Sequence, residues 1–88
     1  MMNKDGLREL AQRYGVILDE RRGYPSFEKR CKDEVWGINW TETLSIYEEF
    51  GKTCIHTTSG TRYRTRCIYT EQKITMEMIE QQLKEFVR

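Results

Sequence analysis

Two runs of β-forming residues joined by Ser59-Gly60 constrain this chain more than any other feature. Thr53-Cys54-Ile55-His56-Thr57-Thr58 is rich in β-branched side chains. Thr61 to Tyr69 alternates strictly, with Arg62, Arg64, Arg66 and Ile68 on one side and Tyr63, Thr65, Cys67 and Tyr69 on the other. A period of two is that of a strand whose faces meet different surroundings, and Ser-Gly between two such runs predicts a β-hairpin.

Two helices bracket the hairpin. Leu7, Leu10, Ala11 and Tyr14 fall at i, i+3, i+4 and i+7 and make one apolar stripe. Asp5 suits the start of this helix. Gly15 suits a left-handed end, with Val16 packing back on Ala11. At the other end of the chain Met76, Ile79, Leu83, Phe86 and Val87 share a face. Thr75 is a good N-cap there, and Ile74 with Ile79 fits a hydrophobic staple. Glu77, Gln81, Gln82, Lys84 and Glu85 form the opposite, solvent-facing side.

The middle of the chain is more ambiguous. Gly23-Tyr24-Pro25-Ser26 reads as a turn or break. Phe27, Cys31 and Val35 are spaced i, i+4, i+8, which suits a short helix ended by Gly37. Residues 41–50 read either as a helix capped by Thr41 or as a strand followed by a Gly51-Lys52 turn. The strand is preferred, because Thr43, Ser45, Ile46 and Tyr47 are mediocre helix formers in sequence. Trp36, Ile38 and Trp40 alternate, and in so small a chain their large side chains are expected in the core. The alternative for the tryptophans is an exposed aromatic anchor for a partner.

These elements predict an α+β fold. It has a small antiparallel sheet, either a hairpin or a three-stranded meander, flanked by N-terminal and C-terminal amphipathic helices on one face. The 88 residues suffice for one core and not two, so residues 1–88 are read as a single small domain. Three cysteines are an odd, sparse set for a secreted scaffold, and the N-terminal stretch has no continuous apolar run like that of a signal peptide. The longest apolar run, Val16-Ile17-Leu18, is far too short to span a bilayer. The expectation is a cytoplasmic chain with no membrane partner, monomeric or homodimeric.

No catalytic constellation stands out. The one histidine, His56, lies two residues from Cys54 on the same strand, but nothing suggests an oxyanion hole or a third orienting group. Ordinary sheet packing is the preferred reading. Cys54, His56 and Cys67 could meet across the hairpin, with Cys31 from elsewhere, but there is no C-x-x-C pair and the spacing matches no named zinc pattern; free thiols acting as small hydrophobes are preferred. Adjacent Glu48 and Glu49 read as a solvated face, and the glycines are isolated, with no phosphate loop. No cofactor or metal is expected, and no enzymatic activity.

What remains is the charge of the hairpin. The formal net charge is only +1, so the whole molecule offers no case for a polyanionic partner. Locally, Lys52 to Thr70 contains no acidic residue. Lys52, Arg62, Arg64 and Arg66, with Tyr63 and Tyr69 interleaved, form the candidate binding set. Arginines about 7 Å apart along a strand match a phosphate backbone in scale and also fork onto carboxylates of a protein. Against this, Glu42, Glu48 and Glu49 lie on the preceding segment and offer internal ion pairs.

Two family resemblances follow from the two readings of residues 41–50. With a strand there, the order helix, three strands, helix resembles a double-stranded-RNA-binding domain, and Leu7-Arg8-Glu9-Leu10-Ala11-Gln12-Arg13-Tyr14-Gly15 is similar in character to that family's first helix. Its basic Lys-Lys-x-x-Ala-Lys helix start is replaced here by Gln72-Lys73-Ile74-Thr75-Met76-Glu77, with Lys73 alone positive. With a helix there, the chain resembles a winged helix-turn-helix. Gly37-Ile38-Asn39 would be its turn, Thr41 to Phe50 its recognition helix and Thr53 to Tyr69 its wing. That helix would carry Glu42, Glu48 and Glu49 and no basic residue, and Asp33 would stand where the motif has a small alanine. Both resemblances imply that a partner meets the hairpin. The expected function is non-enzymatic binding to nucleic acid, or to a protein of a nucleoprotein complex, with Tyr63 and Tyr69 as stacking surfaces. The alternative is a protein-binding adaptor or inhibitor, such as a small phage or mobile-element protein directed against a host nuclease.

Overall fold

A computed structural model describes residues 3–69 and 73–88, and the side chains of Ile68 and Tyr69 lie outside that description. The chain runs helix α1 (Lys4–Tyr14), strands β1 (Ile17–Leu18), β2 (Ser26–Asp33), β3 (Ile38–Glu49), β4 (Lys52–Ser59) and β5 (Arg62–Tyr69), then helix α2 (Met76–Phe86). Each strand pairs antiparallel with the next, so the five form one sheet in sequence order. The α+β class, the flanking helices and the strand reading of residues 41–50 hold. The count of two or three strands is corrected to five, and the winged-helix arrangement is removed because its recognition helix is part of β3.

The short helix expected around Phe27, Cys31 and Val35 is also corrected: these residues lie in β2 and the turn after it. A spacing of four is an even number, so it suits a strand face as well as a helix face. Pairing decided between them, because Ser26 to Asp33 lines up residue for residue against Ser45 to Ile38.

The register assigns every side chain to a face. Phe27, Leu44, Ile46 and Ile55 point to one side and are essentially fully buried. Both helices cover that side, with Leu7, Leu10 and Ala11 from α1 and Ile79 and Leu83 from α2 completing the core. Ser45, Tyr47, Cys54, His56, Thr65 and Cys67 alternate with these residues and point to the opposite, open face.

The helix ends follow capping chemistry. Asn3, not Asp5, caps α1, its Oδ1 accepting from the amides of Asp5 and Gly6. Gly15 ends it at φ 67, and the Val16 amide returns to the Ala11 carbonyl at 2.9 Å. Thr75 caps α2 by accepting from the Met78 amide at 3.2 Å.

The β3–β4 turn lies one residue earlier than Gly51-Lys52. Glu49 pairs with Lys52, which leaves Phe50-Gly51 as the loop, both residues at positive φ. That is the pattern of a type I′ hairpin turn, here with a phenylalanine at its first central position.

Candidate functional site

The sequence-predicted binding residues divide between the two faces. Arg62, Arg64 and Arg66 stand opposite Ser59, Thr57 and Ile55 and so project on the helix-covered side. They sit on the edge strand, beyond the core, and are exposed. Tyr63, 76% exposed, points to the open face and stacks on His56, with ring centroids 6.2 Å apart. Lys52 is on the open face at the far end of β4, opposite Glu49 and Tyr69. The Tyr69 side chain lies outside the described residues, as does all of Thr70.

Among the described residues the acids expected to neutralise the arginines form no ion pair with them. Glu42 lies in the same cross-sheet row as Ser59 and Arg62. Its carboxylate is committed to other partners: Trp40 Nε1 donates to it at 3.1 Å, Ser59 Oγ at 2.8 Å, and Lys29 Nζ approaches to 3.5 Å. The Trp40 bond foremost, then those from Ser59 and Lys29, hold this carboxyl below the usual glutamate range. Glu48 and Glu49 face Thr53 and Lys52, at the opposite end of β4 from the strand position that faces Arg62. Among the described residues no ion pair involves Arg62, Arg64 or Arg66. Arg66 instead donates to the Gln82 side chain of α2 at 3.1 Å, so Gln82, expected on the solvent side, faces the sheet edge.

Arg62 and Arg64 border an open groove of about 310 Å3 with Glu42, Thr57, Ser59 and Phe86. Lys29 Nζ lies 5.6 Å from the Phe86 ring centroid, so three cations surround the end of α2. The groove has a cationic rim, a neutralised carboxylate in its wall and an aromatic edge.

A second surface was assigned by sequence reasoning to the core. β3 outruns β4: the Thr41 carbonyl still accepts from the Gly60 amide at 3.1 Å, and Ile38 to Trp40 have register partners on β2 and none on β4. The β2–β3 hairpin therefore projects from the sheet, on a molecule whose long axis is 45 Å. At its tip Val35, Trp36 and Ile38 are 84%, 77% and 58% exposed. Ile38 and Trp40 do share a face with Leu44, as alternation predicts, but they lie past the end of α2, outside the core cluster, and Ile38 is exposed. Asp33 shapes the turn, its Oδ1 accepting from the amides of Val35 and Trp36, and Gly37 closes it. Asp33 followed four residues later by Gly37 was the available signal for a hairpin tip.

Cys54 and His56 share the open face, each with a partner from β5. Cys54 Sγ lies 3.0 Å from Cys67 Sγ, and His56 Nδ1 lies 2.6 Å from Thr65 Oγ1. The hydrogen bond to Cys67, then burial, pushes the Cys54 thiol up to about 11, the opposite direction from an activated nucleophile. Cys31 faces the helix side opposite Trp40, so the sheet separates it from Cys54 and Cys67. Among the described residues no group of three or more His, Cys, Asp or Glu side chains is arranged to hold a metal ion. No helix among them is long and apolar enough to cross a membrane.

Comparison with protein families, with curated proteins and with solved structures finds no match to this chain.

Proposed function

We propose that this chain is a non-enzymatic binding module that meets nucleic acid, or a nucleic-acid-handling complex, along its arginine-bearing edge. The observation that carries the reading is the edge strand itself. Arg62, Arg64 and Arg66 project from one face at the two-residue strand repeat, and Glu42, the carboxylate in the row of Arg62, is held by Lys29, Trp40 and Ser59. Guanidinium groups about 7 Å apart fit successive phosphates. Tyr63, exposed on the other side of the same strand, supplies a stacking surface for an unpaired base. A cytoplasmic chain, monomeric or homodimeric, belongs to the same reading.

The test is a titration with single- and double-stranded DNA and RNA at two salt concentrations. Binding through two or three phosphates gives a log–log salt slope of about −2 to −3. The R62Q/R64Q/R66Q variant weakens binding and flattens the slope. Absence of binding at low salt removes this reading.

A second reading is favoured by a different observation. Val35, Trp36 and Ile38 are exposed together at a projecting tip, and tryptophan is enriched among the residues that anchor protein interfaces. On this reading the chain is an adaptor or inhibitor whose tip inserts into an apolar cleft of a protein. A photo-crosslinker at position 36 would then join a single partner whose capture the I38S substitution abolishes. Equal crosslinking with and without I38S counts against it.

A further inference from the structure

The register of the β4–β5 hairpin sets two cysteines directly opposite each other. The loop is Gly60-Thr61, so Ser59 and Arg62 form the closing pair. In the alternation that a two-residue loop imposes, every second pair is non-hydrogen-bonded, with Cα atoms about 4.5 Å apart. Counting from Ser59 and Arg62, those pairs are Thr58 with Tyr63, His56 with Thr65, and Cys54 with Cys67. All three pairs lie on the open face. A Cα separation of about 4.5 Å falls within the span a disulfide accepts. The two thiols are free and already 3.0 Å apart, one buried and one exposed.

We propose that Cys54 and Cys67 are a modification site: a dithiol that closes to an intramolecular cross-strand disulfide with a small disulfide oxidant such as glutathione disulfide. Exposed Cys67 meets the oxidant. Its thiolate attacks one sulfur of glutathione disulfide, a Cys67–glutathione bond forms, and the first glutathione leaves as thiolate. That removes the hydrogen bond that most strongly holds the Cys54 proton. Cys54 then loses its proton and attacks Cys67 Sγ, forming the Cys54–Cys67 bond and expelling the second glutathione. The cysteines give up two electrons, glutathione disulfide takes them, and both thiol protons end on the two glutathiones. Cys31, on the other face, takes no part.

The closed bridge ties the edge strand to the sheet at the end away from Gly60. It encloses Ile55 to Arg66, and so pins the segment that carries the arginines. This follows from the register and does not depend on what the arginines bind.

The experiment treats the folded wild-type chain with glutathione disulfide. It then counts thiols after denaturation, measures the mass and maps the bridge by proteolysis. The expected product is a monomer with one remaining thiol, at Cys31, and a mass lower by about 2 Da for the two hydrogens lost. Its Tm rises by on the order of 10 °C, and a reductant reverses the rise. In C67S, altered at an exposed position and therefore expected to fold, the bridge and the rise are absent. Retention of all three thiols, a stable mixed disulfide with glutathione, a linked dimer, or a bridge involving Cys31 would each overturn the proposal.

Discussion

The Tyr14 hydroxyl donates to Glu80 Oε1 at 2.8 Å, joining the last turn of α1 to the middle of α2. Arg13 reaches the same oxygen at 3.0 Å while also pairing with Glu9. Apolar residues of both helices share the core, and this carboxylate adds a polar link that orients one helix against the other.

The pair makes stability pH-dependent in a stated direction. The Tyr14 bond, then Arg13, lowers the Glu80 carboxyl below its usual range. A lowered folded-state value gives stabilisation that is present above the unfolded glutamate range. It is lost as pH falls through the folded value. The same bond raises Tyr14, whose contribution is present below the unfolded tyrosine range and lost as pH rises through the folded value. Y14F should lower Tm by a few degrees at neutral pH and reduce the fall between about pH 5 and pH 3. Melts of both proteins across that range measure this; identical pH profiles would contradict it.

Phe50 occupies φ 50, a left-handed backbone that disfavours bulky residues, and its side chain is 93% exposed. Among the described residues no core contact of Phe50 compensates the strain. Phe50→Asn creates the Asn-Gly pair that type I′ turns prefer. It should stabilise the chain by about 1 kcal/mol, read from the urea midpoint at unchanged slope.

Leu44 and Ile46 are fully buried where the sheet meets both helices. Leu44→Ala leaves a cavity bounded by regular elements on both sides and should cost about 3 kcal/mol. Trp36→Ser, at the exposed tip, should change stability by less than about 0.5 kcal/mol despite removing the largest side-chain type. Urea unfolding of the two variants separates a core residue from a surface one. A large loss for W36S would return that tryptophan to the core.

Both helices were legible because their signals are local. Leu7, Leu10 and Ala11, like Ile79 and Leu83, repeat at helical spacing within two turns, and Gly15 and Thr75 mark boundaries by their own backbone and side-chain chemistry. The β4–β5 hairpin was legible for the same reason, since a short local turn joins strands that pair with each other, although the loop is Gly60-Thr61, one residue later than Ser59-Gly60. The three arginines were correctly placed on one face. That Tyr63 and Lys52 belong to the other follows from the same alternation.

The sequence by itself determined the class, the two helices and the two-faced edge strand, because each depends on periods and caps read over a few residues. Only the tertiary structure decided that Phe27 to Asp33 is a strand, since a four-residue spacing fits both periods and pairing with β3 breaks the tie. It also decided that Trp36 and Ile38 stand in solvent, because β3 continues beyond the reach of β4 and α2. Likewise Glu42 is committed to Lys29 and Trp40 rather than to an arginine. Which carboxylate meets which cation, and which apolar side chain finds a cover, depends on strand register and helix placement, which no local window contains.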